Sequence, residues 1–149
     1  MPTSRSPLPP VEIVRAHDQR VETFLDAARR EALNTLWGFN VIGYTKSFDL
    51  AAVDDERVVG ALRLCVSDNL GYVEEVIVDP EMRRQGIGRG LLDTALEIAS
   101  YNNCHKLSVQ VPHHSGAQTF FEHCGFHEEA VLPQHAWKKD VAVLRKFLL

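Results

Sequence analysis

Residues 72–92 read YVEEVIVDPEMRRQGIGRGLL, and this stretch decides the fold of the 149-residue chain. It begins as a β-prone run, turns at Pro80, and passes through two arginines and spaced glycines into an amphipathic helix. Gly86 and Gly88 let backbone N–H groups approach an anion closely, and the dipole of the following helix favours negative charge there. The stretch therefore predicts a strand–loop–helix unit that holds a phosphorylated ligand.

Length and composition predict a single globular domain. Hydrophobic residues make up 45% of the chain and charged residues 24%, which are ordinary values for a protein with one sizeable core. No apolar run approaches the roughly 18–20 residues of a membrane span, so no membrane association is expected. Residues 1–10 are rich in proline and should form a flexible tail rather than a signal peptide, with the domain over residues 11–149.

Charge and cysteine content narrow the partners and the compartment. The formal net charge of −4 argues against general nucleic-acid binding. Cys65, Cys104 and Cys124 are odd in number and far apart, without a Cys-x-x-Cys pair. This pattern favours reduced thiols in a cytoplasmic protein over a disulfide framework.

Hydrophobic periodicity predicts the element order β-α-(α)-β-β-β-α-β-α-β-β. Residues 11–16 alternate like an edge strand, and Asp18 can cap the helix that follows. Two β-prone runs at 47–53 and 57–66 flank an acidic turn, and a third strand covers 72–78. This order predicts a mixed α/β fold whose sheet is mostly antiparallel and flanked by helices.

The second half of the chain continues the alternation of helices and strands. The pattern becomes helical from Gly88 and alternates again as a strand over residues 106–111. Ser115 and Gln118 match a capping box, and Gly125 is the expected end of the helix that they begin. Two further strands are predicted from Phe126 onward, which completes the sheet.

The glycine loop differs from two common phosphate-binding motifs. A nucleoside-triphosphate loop requires Lys followed by Ser or Thr after its second glycine, and this chain has no such pair there. A dinucleotide fingerprint requires a third glycine where Leu91 stands. The chemistry of the loop alone would suit any pyrophosphate.

Two segments resemble the GNAT superfamily of N-acetyltransferases. Residues 78–92 look like its motif A, whose signature Gln/Arg-x-x-Gly-x-Gly/Ala is met by Arg83, Gly86 and Gly88. Residues 117–126, AQTFFEHCGF, are similar to its motif B at the expected distance. Together with the element order, the resemblance covers roughly residues 11–149 and implies acetyl-coenzyme A (acetyl-CoA) in a V-shaped gap beside the fourth strand.

The resemblance implies a set of residues that bind acetyl-CoA. Val76, Ile77 and Val78 would bind the pantetheine arm through their main chain, and the Val76 N–H would stabilise the oxyanion. His114 and Phe121 stand where many relatives have a pantetheine-binding Asn and a Tyr. The pyrophosphate loop would consist of Arg83, Arg84, Gln85, Gly86, Ile87, Gly88 and Arg89.

Acetyl transfer to an amine requires a base that deprotonates the amine. If alternation along the strand is unbroken, Glu74 shares a face with Tyr72, Val76 and Val78 and is the candidate base. A bulge, which the family often has in this strand, would select Glu75 instead. Either carboxylate could alternatively anchor a cationic substrate.

The acid that protonates the leaving thiolate is left open by the sequence. Phe121 cannot donate a proton, so the candidates are solvent water or the side chains of His113, His114, Cys124 and Tyr72. Although six of the seven histidines fall within residues 105–135, their spacing does not match a zinc pattern. We therefore expect no metal.

The resemblance implies an acetyl-CoA-dependent enzyme that moves an acetyl group by direct attack to a primary amine of a small or amino-acid-like molecule. Two alternatives stay open: acetylation of a protein N-terminus or lysine, and a non-catalytic acetyl-CoA-sensing module with a protein partner. Residues 36–45, the Glu74 face and residues 135–137 should form the acceptor pocket. Because the family often dimerises, a homodimer through the C-terminal strands is a further expectation.

We predict that coenzyme A (CoA) binds this protein with a dissociation constant near the micromolar range, since a helix N-terminus and stacked N–H donors suit a diphosphate. Isothermal titration calorimetry checks the prediction. Absence of binding at millimolar ligand would contradict the assignment of the glycine loop.

Overall fold

The computed structural model describes residues 10–148, and the chain divides into two compact units, residues 1–42 and 43–149. The predicted tail over residues 1–10 lies outside the described residues, apart from Pro10. The extent of the predicted domain, residues 11–149, stays a prediction.

The first unit contains one long helix, α1, over Arg20–Trp37. Asp18 lies just before it and accepts a hydrogen bond of 3.0 Å from the Arg20 N–H, which satisfies one of the free donors of the first turn. Gly38 ends the helix in the left-handed conformation, at φ 78°, and its N–H donates to the Asn34 carbonyl. The two predicted helical segments are therefore one continuous helix.

The predicted edge strand over residues 11–16 is wrong. These residues have no strand structure and are largely exposed. Alternating side chains fit a strand, but a strand forms only where a neighbouring strand supplies hydrogen-bond partners for its main chain. The alternation of this segment was therefore insufficient evidence for a strand.

The second unit carries a six-stranded sheet with two helices. The sheet has the order β1-β2-β3-β4-β6-β5, and every neighbouring pair is antiparallel except β3–β4. This arrangement confirms the predicted mixed, mostly antiparallel sheet. Its elements are β1 Thr45–Asp54, β2 Arg57–Ser67, β3 Leu70–Val78, α2 Ile87–Tyr101, β4 Lys106–Pro112, α3 Gly116–His123, β5 His127–Ala136 and β6 Lys139–Phe147.

Three tight turns join the antiparallel neighbours that follow each other directly in the chain. Each turn has two consecutive residues with positive φ, the geometry that matches the right-handed twist of the flanking strands. The pairs are Asp55 with Glu56, Asp68 with Asn69, and Trp137 with Lys138. Asp and Asn tolerate this conformation well, which explains why the first two turns were visible in the sequence.

Helices α2 and α3 pack on the same face of the sheet and bury one continuous core. Leu62, Leu64 and Val66 of β2 are at most 1% exposed, and they lie in one cluster with Leu92 of α2 and Phe121 of α3. Burial of apolar surface of this extent is the main force that holds helices on a sheet. The opposite face of the sheet is more polar around β2 and β3.

We expect Gly71→Ala to destabilise the second unit by about 1–3 kcal/mol, because overpacking of a closed core has this typical cost. A Cβ at Gly71 would stand 2.7 Å from Leu107 Cδ1 and 3.3 Å from the Ala99 Cβ, and both neighbours are fully buried. Denaturant unfolding measures the change. Gly43→Ala is the control, since the nearest atom to its Cβ lies 4.0 Å away; equal losses in both variants would contradict the packing argument.

Candidate active site

Strands β3 and β4 are paired over only part of their length. Leu70–Val73 align with Lys106–Val109, and no further pair joins the two strands within the described residues. Beyond this point β3 continues to Val78 and β4 to Pro112. Two strands that stop pairing while both continue leave facing main-chain groups without partners, so a V-shaped gap opens between them.

The register with β2 determines which main-chain groups of β3 face this gap. The Asp79 N–H donates to the Val59 carbonyl at 2.8 Å, next to the pair Val78–Gly60. Hydrogen-bonded pairs alternate along an antiparallel ladder, so Ile77 is also bound to β2, while the main-chain groups of Val76 and Val78 point into the gap. Ile77 thus lacks the free main-chain groups that its predicted role requires, and its side chain is 62% exposed.

A bulge interrupts β3 at Glu74. Glu75 lies opposite Arg63 and Val73 lies opposite Leu64, which leaves Glu74 without a partner of its own. The extra residue breaks the alternation, so that Val73 and Val76 both face the helices. The prediction that Glu74 shares a face with Val76 and Val78 is therefore wrong, because it assumed unbroken alternation.

Both glutamates lie on the face of the sheet opposite to α2 and α3. Glu75 lies opposite Arg63. Because Arg63 stands between the buried Leu62 and Leu64 on β2, its side chain and that of Glu75 point to the other face of the sheet. The hydrogen bond to Asp49, followed by the charges of Asp49, Glu75 and Glu74, raises the pKa of Arg63. The bulge thus directs two adjacent acidic side chains to one face, so the prediction that a bulge would select Glu75 over Glu74 is wrong.

Hydrogen bonding and burial set the charge states on this face. Arg63 donates two hydrogen bonds to the Asp49 carboxylate, from Nε to Oδ1 at 2.9 Å and from Nη2 to Oδ2 at 3.3 Å. This contact holds the pKa of Asp49 below its usual value. Burial, followed by the charge of Glu74, raises the pKa of Tyr72. The Tyr72 phenol therefore stays protonated at neutral pH and can donate a hydrogen bond.

The loop between β3 and α2 presents a row of free N–H groups. Gly86 is the N-cap of α2 in the left-handed conformation, at φ 77°, and Arg84 before it also has positive φ. The first helical hydrogen bond runs from the Gly90 N–H to the Gly86 carbonyl, so the N–H groups of residues 87–89 lack helical acceptors. Free donors at a helix N-terminus, beside arginines, attract an anion such as a pyrophosphate.

The loop, β3 and α3 enclose a cavity of about 560 Å³. Gly88 forms part of its wall, where a Cβ would stand 3.3 Å from the Phe120 ring and 3.6 Å from Val78 Cγ2. Only glycine leaves this space open. The lining residues are Val76, Val78, Met82, Arg83, Arg84, Gly86, Ile87, Gly88, Arg89, Gly116, Ala117, Phe120 and Phe121.

Most residues of the predicted cofactor site line this one cavity, but Ile77, Gln85 and His114 do not. Sequence reasoning missed four lining residues. Ala117 and Phe120 stand at helical spacing beside Phe121, so the same apolar stripe that indicated core packing could have indicated a cavity wall. The other two are Met82 and Gly116.

Phe121 and one of the candidate acids, Cys124, are buried. Phe121 is 2% exposed and packs edge-to-face against Phe120 and Phe126. Cys124 lies in the core, where burial raises the pKa of its thiol. Solvent water and the side chains of His113, His114 and Tyr72 remain as the candidates.

Two observations concern metals and membranes. Within the described residues, no three His, Cys, Asp or Glu side chains converge as metal ligands would. In the same part of the chain, no helix has the length and apolar character of a membrane span. The predicted acceptor pocket draws on residues 36–45, which span both units, and stays a prediction.

Comparison with known proteins identifies the family of this chain. The model of the Acetyltransferase (GNAT) family matches residues 14–126, well over half of the chain. The chain therefore belongs to the GNAT family, as its two motifs predicted. The glucosamine 6-phosphate N-acetyltransferase of Trypanosoma brucei brucei is 30% identical over 77 residues, 47% of this chain and 51% of that protein. The match spans about half the length of this curated relative.

Solved structures share the fold. A protein assigned as an acetyltransferase from Agrobacterium tumefaciens superposes with a TM-score of 0.69 at 20% identity, covering 93% of this chain and 99% of that one. A protein assigned as a streptothricin acetyltransferase from Bacillus anthracis str. Ames, solved in complex with acetyl coenzyme A, has a TM-score of 0.64 at 19% identity. The second match covers 68% of this chain and 62% of that one.

We expect Gly88→Ala to weaken CoA binding about tenfold or more, because the added methyl group narrows the cavity against the Phe120 ring. Gly90→Ala is the matched control on the same helix, since no heavy atom lies within 4 Å of its Cβ. Calorimetry measures both dissociation constants, and thermal melting checks folding. Equal binding by the two variants would show that the cavity is not the CoA site.

Proposed function

We propose that this protein transfers an acetyl group from acetyl-CoA to a primary amine of a small or amino-acid-like molecule. The observation that carries the proposal is that two sets of main-chain groups without hydrogen-bond partners in the sheet or the helix line one cavity. The gap edge of β3 offers Val76 and Val78, and the loop before α2 offers free N–H groups. An elongated ligand with amides at one end and a pyrophosphate at the other suits this combination.

The residues of the cavity fit acetyl-CoA. Arg83, Arg84 and Arg89 surround the N-terminus of α2 with positive charge, which suits a diphosphate. Val76 and Val78 combine gap-facing main-chain groups with apolar side chains, so an amide-bearing arm can pair with β3 as another strand would. When bound, acetyl-CoA supplies an acetyl group activated as a thioester.

The Val76 N–H is the donor best placed to stabilise negative charge on an acyl oxygen. It follows the bulge directly and belongs to a pair that makes no hydrogen bond to β2. A fixed backbone donor costs no reorganisation when charge develops, which is the basis of an oxyanion hole. This role depends on main-chain direction and requires no particular side chain.

Glu74 supplies the base in the proposal. Glu74 comes directly after Val73, the last residue of β3 that pairs with β4, and therefore stands at the vertex of the gap. A carboxylate there can attract a protonated amine and accept its proton. Tyr72, which is held protonated beside Glu74, adds a hydrogen-bond donor at the same vertex.

We expect Glu74→Gln to lower kcat/KM by about 10²–10⁴-fold, the typical contribution of a general base, without a large change in CoA affinity. Glu75→Gln is the matched control at the next residue and should retain most activity, because Glu75 lies directly opposite Arg63 on β2 and not at the vertex of the gap. Thiol release at saturating acetyl-CoA measures both. A larger loss in Glu75→Gln would assign the base to that residue instead.

A panel of acceptors distinguishes the proposed activity from its alternatives. Thiol release with free small amines supports the proposal. Release only with peptides would favour acetylation of protein N-termini or lysines. Tight CoA binding without release from any acceptor would contradict an enzyme and favour a sensing module.

A further inference from the structure

The segment between β4 and α3 is held by a closed ring of contacts among His113, His114, Gln118 and Glu128, here called the Gln118 network. The His114 N–H donates to Gln118 Oε1 at 2.7 Å, and Gln118 Nε2 donates to Glu128 Oε1 at 2.9 Å. The same oxygen lies 3.1 Å from His113 Nε2. The rings of His113 and His114 stack at 3.7 Å, which closes the ring.

Gln118 is an unusual residue for the position that it occupies. Its side chain is only 6% exposed, and a buried amide is tolerated only when its donor and acceptor are both paired. In an ordinary capping box, the third helical residue returns its side chain to the N–H of the N-cap, here Ser115. Gln118 instead binds the residue before it, His114.

His114 requires this support because its backbone is left-handed, with φ of 62°. Residues other than glycine adopt this conformation at a cost in conformational energy, and the surrounding contacts must fix it. The hydrogen bond from its N–H to Gln118 and the stacked His113 ring provide two such contacts. The network therefore sets the direction in which the chain leaves β4 and enters α3.

This direction matters because the segment joins two walls of the proposed site. Strand β4 borders the gap as far as Pro112, and α3 contributes Gly116, Ala117 and Phe120 to the cavity lining. The network also ties the segment to β5 through Glu128. None of its four residues lines the cavity, so any influence on a ligand acts through the position of these walls.

We propose that Gln118 is a positioning residue that holds α3 at the distance from β3 required by the arm of acetyl-CoA. The inference rests on the proposed function and adds that different elements bind the arm and the pyrophosphate of acetyl-CoA. The pyrophosphate loop belongs to the β3–α2 connection, and within residues 10–148 no side-chain hydrogen bond or ion pair joins it to the network. The network should therefore affect the affinity for the arm and leave the affinity for the pyrophosphate unchanged.

The test compares two ligands, CoA and its fragment 3′-phospho-ADP, which carries the pyrophosphate but lacks the arm. In Gln118→Glu, the new carboxylate still accepts from the His114 N–H but faces Glu128 without a donor between them. We expect CoA binding to weaken about tenfold and fragment binding to change by less than about twofold, because the network fixes the start of α3 next to β4, whereas the N–H donors proposed for the pyrophosphate are fixed by α2.

Exchange of the two residues provides the rescue. In the double variant Gln118→Glu/Glu128→Gln, the amide NH2 group at position 128 donates to the carboxylate at position 118 and to His113 Nε2 of the imidazole tautomer that carries its proton on Nδ1, so the ring closes again with the donors reversed. CoA affinity should return to within about threefold of the wild type, a coupling between sites that independent substitutions do not show. Glu129→Gln is the matched control, since this neighbouring residue pairs with Lys106 and not with the network.

The outcomes are distinguishable by calorimetry. Loss confined to CoA, with recovery in the double variant, supports the inference. Equal loss for both ligands, no loss, or no recovery overturns the inference, whereas the wild type would still bind CoA and the proposed function would stand. Failure of the wild type to bind either ligand overturns both. If Gln118→Glu does not fold, Glu128→Met opens the ring from its more exposed side and should give the same selective loss.

Discussion

The incomplete pairing of β3 with β4 is the constraint on which the rest of this structure depends. Main-chain N–H and C=O groups inside a protein must find partners, and strands normally provide them for each other. Here Val76 and Val78 face a gap in which no strand provides them. A ligand that imitates a strand can do so, which is why a gap in the sheet can serve as a binding site. The site therefore begins with an unmet requirement of the backbone.

The bulge at Glu74 determines what each side of the gap can do. An extra residue leaves Val76 and Val78 on the cavity side and sends the two glutamates to the other face. In the proposed function, the residues for cofactor binding and those for proton transfer therefore lie on opposite faces of the sheet, although both sets belong to one short strand. Without the bulge, regular alternation would place Glu74 on the same face as Val76 and Val78.

Local signals in the sequence predicted the order of the elements in the second unit and the glycine loop. Gly86, Gly88 and Ser115 act within a few residues of themselves, so their effects are visible in the sequence. The failures involve partners distant along the chain. Residues 11–16 alternate but gain no partner strand, and the register that inserts the bulge at Glu74 is set by pairing with Arg63. Gln118 matched a capping box, yet its acceptor and donor contacts lie with His114 and Glu128.

The parallel pairing of β3 with β4 also has a kinetic consequence. The hairpins on either side close through two-residue turns, whereas Leu70 meets Lys106 only after α2 has bridged the sheet. Contacts between distant residues carry the loop-closure entropy that slows folding. We therefore expect the meander β1-β2-β3 and the hairpin β5-β6 to form first, with β4 joining later through its pairs with β6 and through the four residue pairs with β3 below the gap. Substitutions at these four β3–β4 pairs would then slow folding and also change the geometry of the gap. The folding rate and the geometry of the proposed active site are therefore linked.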